Sequence, residues 1–192
     1  RPVADCLRDP GGVSAVEFAL IAPFLILIYL GTIELSLMLI ADRKVTSTAS
    51  TLGDLVARDT VVDECDIDDI FAASRIIFQP NDSASAQMRV TSILNNAGTY
   101  TVDWSEARGP NDSGGSTTIV PITTAELASR TFNANLITDG GSVVYAEVSY
   151  FHQALFVNYS AVDGNANLSD EFFVRPRRTD SVVRDTTAMT CP

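Results

Sequence analysis

The sequence predicts an α+β protein in which one long N-terminal helix packs on a small, mostly antiparallel sheet. Two observations carry this expectation. From Val13 to Ala41 the chain runs 29 residues with only Glu17 and Glu34 charged. From about Gln87 onward, short runs alternate apolar and polar residues between Asn-, Asp- and Gly-rich turns, the pattern of half-buried strands. The apolar excess is confined to the first of these regions, and the remainder reads as an acidic, soluble domain.

The apolar segment comes first. Phe18 to Ile33 is an uncharged run of 16 residues, and a helix needs about 20 apolar residues to cross a bilayer core. A span over 13–41 therefore places Glu17 near one edge of the membrane and Glu34 near the other. A secretory signal peptide fits poorly, because Arg1 and Arg8 are offset by Asp5 and Asp9. Beyond Asp42-Arg43-Lys44, the residues Val45, Ala49, Leu52, Leu55 and Val56 recur at three- and four-residue spacing. That is the stripe of an amphipathic helix lying on a globular domain. The two halves make one helix over residues 13–60, with Pro23 expected to bend it locally. Ala15, Ala19 and Ala22 form a small-residue face that permits close helix approach in lipid.

Residues 61–192 form the globular part. Asp66 is expected to cap a short helix reaching Phe78, with Asp69 at the third position. Gln87–Leu94 and Thr99–Trp104 read as a hairpin around Asn95-Asn96-Ala97-Gly98. A Gly/Pro/Asn-rich loop covers residues 108–118, and a short helix follows near Thr124–Arg130. Ser142–Phe151 is the strongest strand, and Asp170–Arg175 is expected to be the last. The tail from Thr179 reads as loosely held unless Cys191 anchors it.

Composition excludes several functions. A net charge of −11 argues against nucleic-acid binding, which requires a basic surface. The cationic group Arg175, Arg177 and Arg178 reads as the solvated end of a strand. No Cys/His spacing suits zinc. The acidic group Asp63, Glu64, Asp66, Asp68 and Asp69 is explained by favourable charge at a helix N-terminus without calcium. Asp163-Gly164-Asn165 lacks the sixth-position glycine and twelfth-position glutamate of a calcium loop. The single histidine, His152, has no nucleophile motif around it, and no phosphate- or dinucleotide-binding motif is present. The chain is thus expected to be neither an enzyme nor a cofactor binder.

The stretch Gly12-Val13-Ser14-Ala15-Val16-Glu17-Phe18-Ala19-Leu20, with Pro23 and Gly31-Thr32-Ile33-Glu34, resembles the N-terminal signature of TadE-like proteins of the type IV prepilin superfamily. Asp69-Ile70-Phe71-Ala72-Ala73, Thr101-Val102-Asp103-Trp104-Ser105 and Phe173-Val174-Arg175-Pro176-Arg177-Arg178 resemble members of the same group. Only the first forty or so residues are diagnostic. The resemblance implies a pilin-like fold and a leader over residues 1–12, cut by a prepilin peptidase between Gly12 and Val13. It implies a cytoplasmic N-terminus in a bacterial inner membrane, a periplasmic C-terminal domain, and later placement in a pilus or at the cell surface. Implied partners are the prepilin peptidase, other minor pilins and the major pilin, and an inner-membrane assembly platform. A family member carrying a von Willebrand-type domain needs a D-x-S-x-S metal site, and Asn81-Asp82-Ser83-Ala84-Ser85 has Asn where the first Asp belongs. The leader-like residues are neutral overall, unlike the usual basic leader, and Arg43 and Lys44 lie on the opposite flank. Orientation therefore follows from the resemblance alone.

Within this picture Glu17 is the fifth residue after the cut, able to neutralise the new Val13 α-amino group of a neighbouring subunit; a carboxylate that only snorkels to the membrane interface is the alternative. Glu34 is a second assembly contact, a partner for the assembly platform, or only the point where the helix leaves the membrane. If the domain is exported, Cys65 and Cys191 are the pair able to bridge, worth about 4–5 kcal/mol on the chain-entropy account; two free thiols are the alternative. Function divides between a minor pilin or pseudopilin used in pilus initiation, assembly or tip formation and a permanently anchored periplasmic module that recruits pilus or secretion machinery.

Overall fold

The structure, a computed structural model, describes residues 10–79, 85–109, 119–130, 137–155, 158–159 and 162–187. Two compact units are distinguished: residues 1–39 with 153–165, and residues 40–152 with 166–192. One helix, α1 (Pro10–Arg58), contributes to both and runs unbroken through Pro23.

The larger unit is built on four antiparallel strands. These are β2 (Ala86–Asn96), β3 (Thr99–Arg108), β4 (Ser142–His152) and β7 (Ala166–Val174), in the order β3-β2-β4-β7. The two central strands are buried along almost their whole length. The hairpin between β2 and β3 closes on Ala97 and Gly98, both at positive φ (51° and 85°). Such a two-residue turn matches the twist of the strands it joins. Both strands are longer than the alternation predicts, and Asp103 is the extra residue at a bulge beside Ser92 and Ile93.

Although Leu55 is only half-buried, the C-terminal half of α1 buries Val45, Ala49, Leu52 and Val56 of the expected stripe, together with Ala41. It lies on the sheet face that carries Ala146, Phe172 and Val174, which approach Gly53. Successive residues of a strand point to opposite faces, so Val143 and Tyr145 project to the other side. There they join Ile93, Ile122, Leu127 and Ile137 in a second apolar cluster. The covering segment includes α3 (Thr124–Ala128), capped by the Thr123 hydroxyl.

The acidic stretch forms α2 (Glu64–Ile76), whose cap corrects the expectation. Asp63, not Asp66, is the N-cap; Asp66 occupies the third position, and the two close a reciprocal capping box. The C-terminal end of α2 is held from α1: Lys44 Nζ donates to the carbonyls of Phe78 (3.1 Å) and Gln79 (2.8 Å). A cation placed on terminal carbonyls is favourable there.

The tail also departs from expectation. β1 (Val61–Val62) and β8 (Val183–Arg184) pair in parallel, and Val182 is fully buried. Trp104 Nε1 donates to the Val182 carbonyl at 2.8 Å. Arg184 binds Glu64 and reaches Glu106 at 3.2 Å. The chain through Thr187 is therefore fixed by long-range contacts, while Cys191 lies outside the described residues. The last strand of the sheet begins at Ala166 rather than Asp170.

In the smaller unit, α1 contributes its first thirty or so residues. The connection between β4 and β7 contributes β5 (Asn158–Tyr159) and β6 (Val162–Asp163), an antiparallel pair.

Candidate functional site: an outward-facing apolar helix with two carboxylates

The N-terminal half of α1 is apolar and unpacked. Val13, Val16, Phe18, Leu20, Ile21, Phe24 to Tyr29, Leu35 and Leu39 are all exposed. Contiguous exposed apolar surfaces of this extent are rare on soluble monomers and mark a face that meets a membrane or another protein. The helix is long and apolar enough to cross a membrane. Two of its hydroxyls are satisfied within the helix: Thr32 Oγ1 donates to the Ile28 carbonyl and Ser36 Oγ to the Thr32 carbonyl, each at 2.8 Å. That suits a solvent that offers no hydrogen bonds.

The two carboxylates differ in their surroundings. Glu17 is exposed and has no hydrogen bond or ion pair among the described residues. Glu34 is only 7% exposed, and its Oε2 accepts from the Leu155 backbone N–H at 3.1 Å. The Glu34 side chain thus ties the start of the 153–165 connection to α1. Leu155 itself is 71% exposed. Pro23 sits between the carboxylates on the exposed helix surface. Ala15 and Ala19 are exposed too, and Ala22 is half-buried. Gly12 lies within α1 and Val13 follows it as the first exposed side chain of the apolar run.

Cys65, on the first turn of α2, is disulfide-bonded. Cys6 and Cys191 both lie outside the described residues. The expected cationic end of β7 is partly engaged: Arg177 pairs with Asp54 of α1, which also holds Arg58 at 2.5 Å, and the Arg177 N–H donates to the Ala57 carbonyl at 2.9 Å. The acidic residues around α2 are used likewise. Arg108 meets Glu64 at 2.6 Å, Asp68 at 3.0 Å and Glu106 at 3.1 Å, with its guanidinium 5.8 Å from the centre of the Phe71 ring. No cluster of metal-ligating side chains occurs among the described residues. His152 is buried within β4. The serine-rich stretch at 81–85 is outside the described residues except for Ser85.

One polar group escaped the sequence reading. On the face opposite α1, Arg89 binds Glu147, Arg130 Nη1 lies 3.2 Å from the same carboxylate, and Tyr145 Oη donates to it at 2.7 Å. Glu171 Oε2 is 2.9 Å from that hydroxyl. Burial alone raises the Glu147 carboxyl, but the hydrogen bonds from Tyr145 and Arg89 and the charges of Arg89 and Arg130 outweigh it. The net result holds Glu147 below its ordinary value. Burial and the same carboxylate push the Tyr145 phenol upward. Glu147 thus gathers two guanidinium groups and the single phenol proton, while Arg89 Nε is buried without a hydrogen-bond partner among the described residues. Alternation could have flagged Glu147 as an acid on an otherwise apolar strand, but its partners are distant in sequence.

Residues 12–52 match the model of the TadE-like protein family. No curated protein and no solved structure matches the chain.

Proposed function

We propose that this chain, with its TadE-like N-terminal segment, is a minor pilin or pseudopilin of a Tad-type pilus, a structural assembly subunit and not an enzyme. The observation that carries this reading is the combination on α1 of an exposed apolar surface and an unpaired Glu17, five residues beyond Gly12. An exposed carboxylate on an apolar helix is costly in lipid and asks for a counter-charge. Cleavage between Gly12 and Val13 creates one, because an α-amino group is protonated up to about pH 7.7–8.0. Helix packing among subunits then sets the amine of one against the Glu17 of the next, and the pair enforces register.

In this reading the chain first spans a bacterial inner membrane, N-terminus in the cytoplasm and globular domain in the periplasm. A prepilin peptidase trims residues 1–12. An assembly platform then moves the subunit into an initiation complex, a pilus tip or a short pseudopilus, beside other minor pilins and the major pilin. The ion-paired domain, with its Arg89–Glu147–Tyr145 group, serves as the head of the subunit.

Mass spectrometry of the protein from its host, with and without the peptidase, tests the proposal. A mature chain beginning at Val13 only in the peptidase-positive strain is expected. An intact leader in both strains rejects processing and favours a permanently anchored periplasmic module that recruits pilus or secretion machinery.

A further inference from the structure

We propose that Ala154 and Leu155, at the start of the connection between β4 and β7, form an interfacial membrane contact, seated by Glu34, that inserts Leu155 at the boundary between lipid headgroups and acyl chains. The inference rests on the reading of α1 as a membrane span and extends it to a second element.

The depth follows from helix geometry. Val13 and Glu34 are 21 residues apart. At 1.5 Å per residue that separation is about 32 Å, against a hydrocarbon core of about 30 Å. Glu34 therefore lies at the membrane boundary when Val13 lies at the other. The exposed Leu35 and Leu39 carry the apolar surface somewhat further, which keeps Glu34 within reach of the acyl region. A carboxylate at that level needs a hydrogen-bond donor that water does not reliably supply. The Leu155 N–H supplies one at 3.1 Å.

The same bond fixes Leu155 at the level of Glu34, whereas a connecting loop would ordinarily stay in water. The composition of the connection fits the depth. From Gln153 to Val162 there is no charged residue. Ala154 is buried, its N–H donating to Asn165 Oδ1 at 2.9 Å, while the adjacent Leu155 side chain is exposed. An uncharged stretch that begins with two bonded N–H groups, those of Ala154 and Leu155, and presents one large apolar side chain is suited to a lipid surface. The exposed side chain and the exposed span belong to one compact unit.

Fluorescence quenching in vesicles of phosphatidylcholine and phosphatidylglycerol tests this on the full-length chain. Leu155→Trp is introduced beside the native Trp104, and the parent protein gives the blank. Lipids brominated near the glycerol are compared with lipids brominated near the chain ends. Leu155→Trp is expected to add quenching that is roughly two-fold stronger from the shallow position, as for insertion by ~5–10 Å. Leu27→Trp, on the exposed span, is expected to reverse that order. Adding Glu34→Ala to Leu155→Trp is expected to halve the shallow quenching or more. If Leu27→Trp is quenched from the chain ends while Leu155→Trp matches the blank, the interfacial contact is overturned and the span stands. If neither is quenched, the span fails and the contact falls with it.

Discussion

Gly53 of α1 and Val174 of β7 meet so closely that a Cβ built on the glycine would lie 3.2 Å from Val174 Cγ1. The Cβ of Ala146 and the Phe172 ring lie 3.4 Å away from the same point. A glycine inside a helix normally costs up to about 1 kcal/mol relative to alanine. Here it lets the amphipathic half of α1 sink onto the sheet. Gly53→Ala is expected to be near neutral, because its helix gain is offset by small shifts of Val174 and Phe172. Gly53→Leu is expected to destabilise by about 1–3 kcal/mol through overpacking. Thermal melting of the full chain in detergent, followed by circular dichroism, checks both; an unchanged melting temperature for Gly53→Leu would show that the contact yields freely.

Much of this arrangement is legible without coordinates, and the reasons for the exceptions are physical. The stripe from Val45 to Val56 and the alternation of Ser142–Phe151 are local periodic signals, so the helix and the central strand follow from them. Capping was ambiguous because Asp63-x-x-Asp66 and Asp66-x-x-Asp69 offer the same spacing. The earlier start also puts Glu64 in the first turn, where Arg108 and Arg184 engage it. β1 and β8 are two residues each, too short for any period, and exist through contacts more than a hundred positions apart. Glu34 stood out as a carboxylate in an apolar run. Its acceptance from Leu155, 121 positions away, has no sequence signature.

Trp104 is a buried side-chain tie on the C-terminal segment. Its indole donates to the carbonyl of the fully buried Val182. Trp104→Phe keeps most of the ring but strands that carbonyl, and a loss of about 1 kcal/mol is expected. Hydrogen exchange is the discriminating measurement: the Val183 N–H, which donates to Thr60 at 3.0 Å, should exchange faster in the variant. Equal protection would mean that the β1–β8 pairing holds the tail without Trp104.

The disulfide of Cys65 should map to Cys191. β8 brings the tail alongside β1, and the Asp185 N–H donates to the Val62 carbonyl at 2.9 Å, three residues before Cys65 in the chain. Peptide mapping of unreduced protein from an oxidising compartment is expected to give a Cys65–Cys191 linked peptide. Reduction is expected to lower the melting temperature, given a typical disulfide contribution of about 2–4 kcal/mol. Recovery of a Cys6–Cys65 peptide instead would refute the pairing and also conflict with removal of residues 1–12.

Assembly should depend on Glu17 far more than folding does. Because Glu17 is exposed on the apolar half of α1, Glu17→Ala removes no contact within the chain. Membrane insertion and melting temperature are expected to be unchanged. Losing one partner of a buried ion pair costs about 3–5 kcal/mol, and each 1.4 kcal/mol is tenfold. Incorporation into sheared pili is therefore expected to fall by roughly a hundred-fold or more. Normal incorporation of Glu17→Ala would remove the ion pair from the mechanism.

Acid should loosen the sheet face opposite α1 through Glu147. Its carboxyl is held below the ordinary value of 4.5 although burial opposes this, because Tyr145 and Arg89 donate to it and Arg89 and Arg130 lie beside it. A folded-state value below the unfolded one means that the native state binds this proton less readily. The associated stability is then fully present above the unfolded pKa and is lost as pH falls through the folded one. Melting temperature is expected to be flat with respect to this group at neutral pH and to fall as the solution is acidified below about 4.5. Glu147→Gln keeps the shape and removes the titration, so it should be less stable at neutral pH, where Arg89 loses its counter-charge, and less sensitive to acid. The difference between wild-type and variant melting temperatures across the acid range isolates the group. If that difference is constant with pH, Glu147 does not carry the acid sensitivity assigned to it.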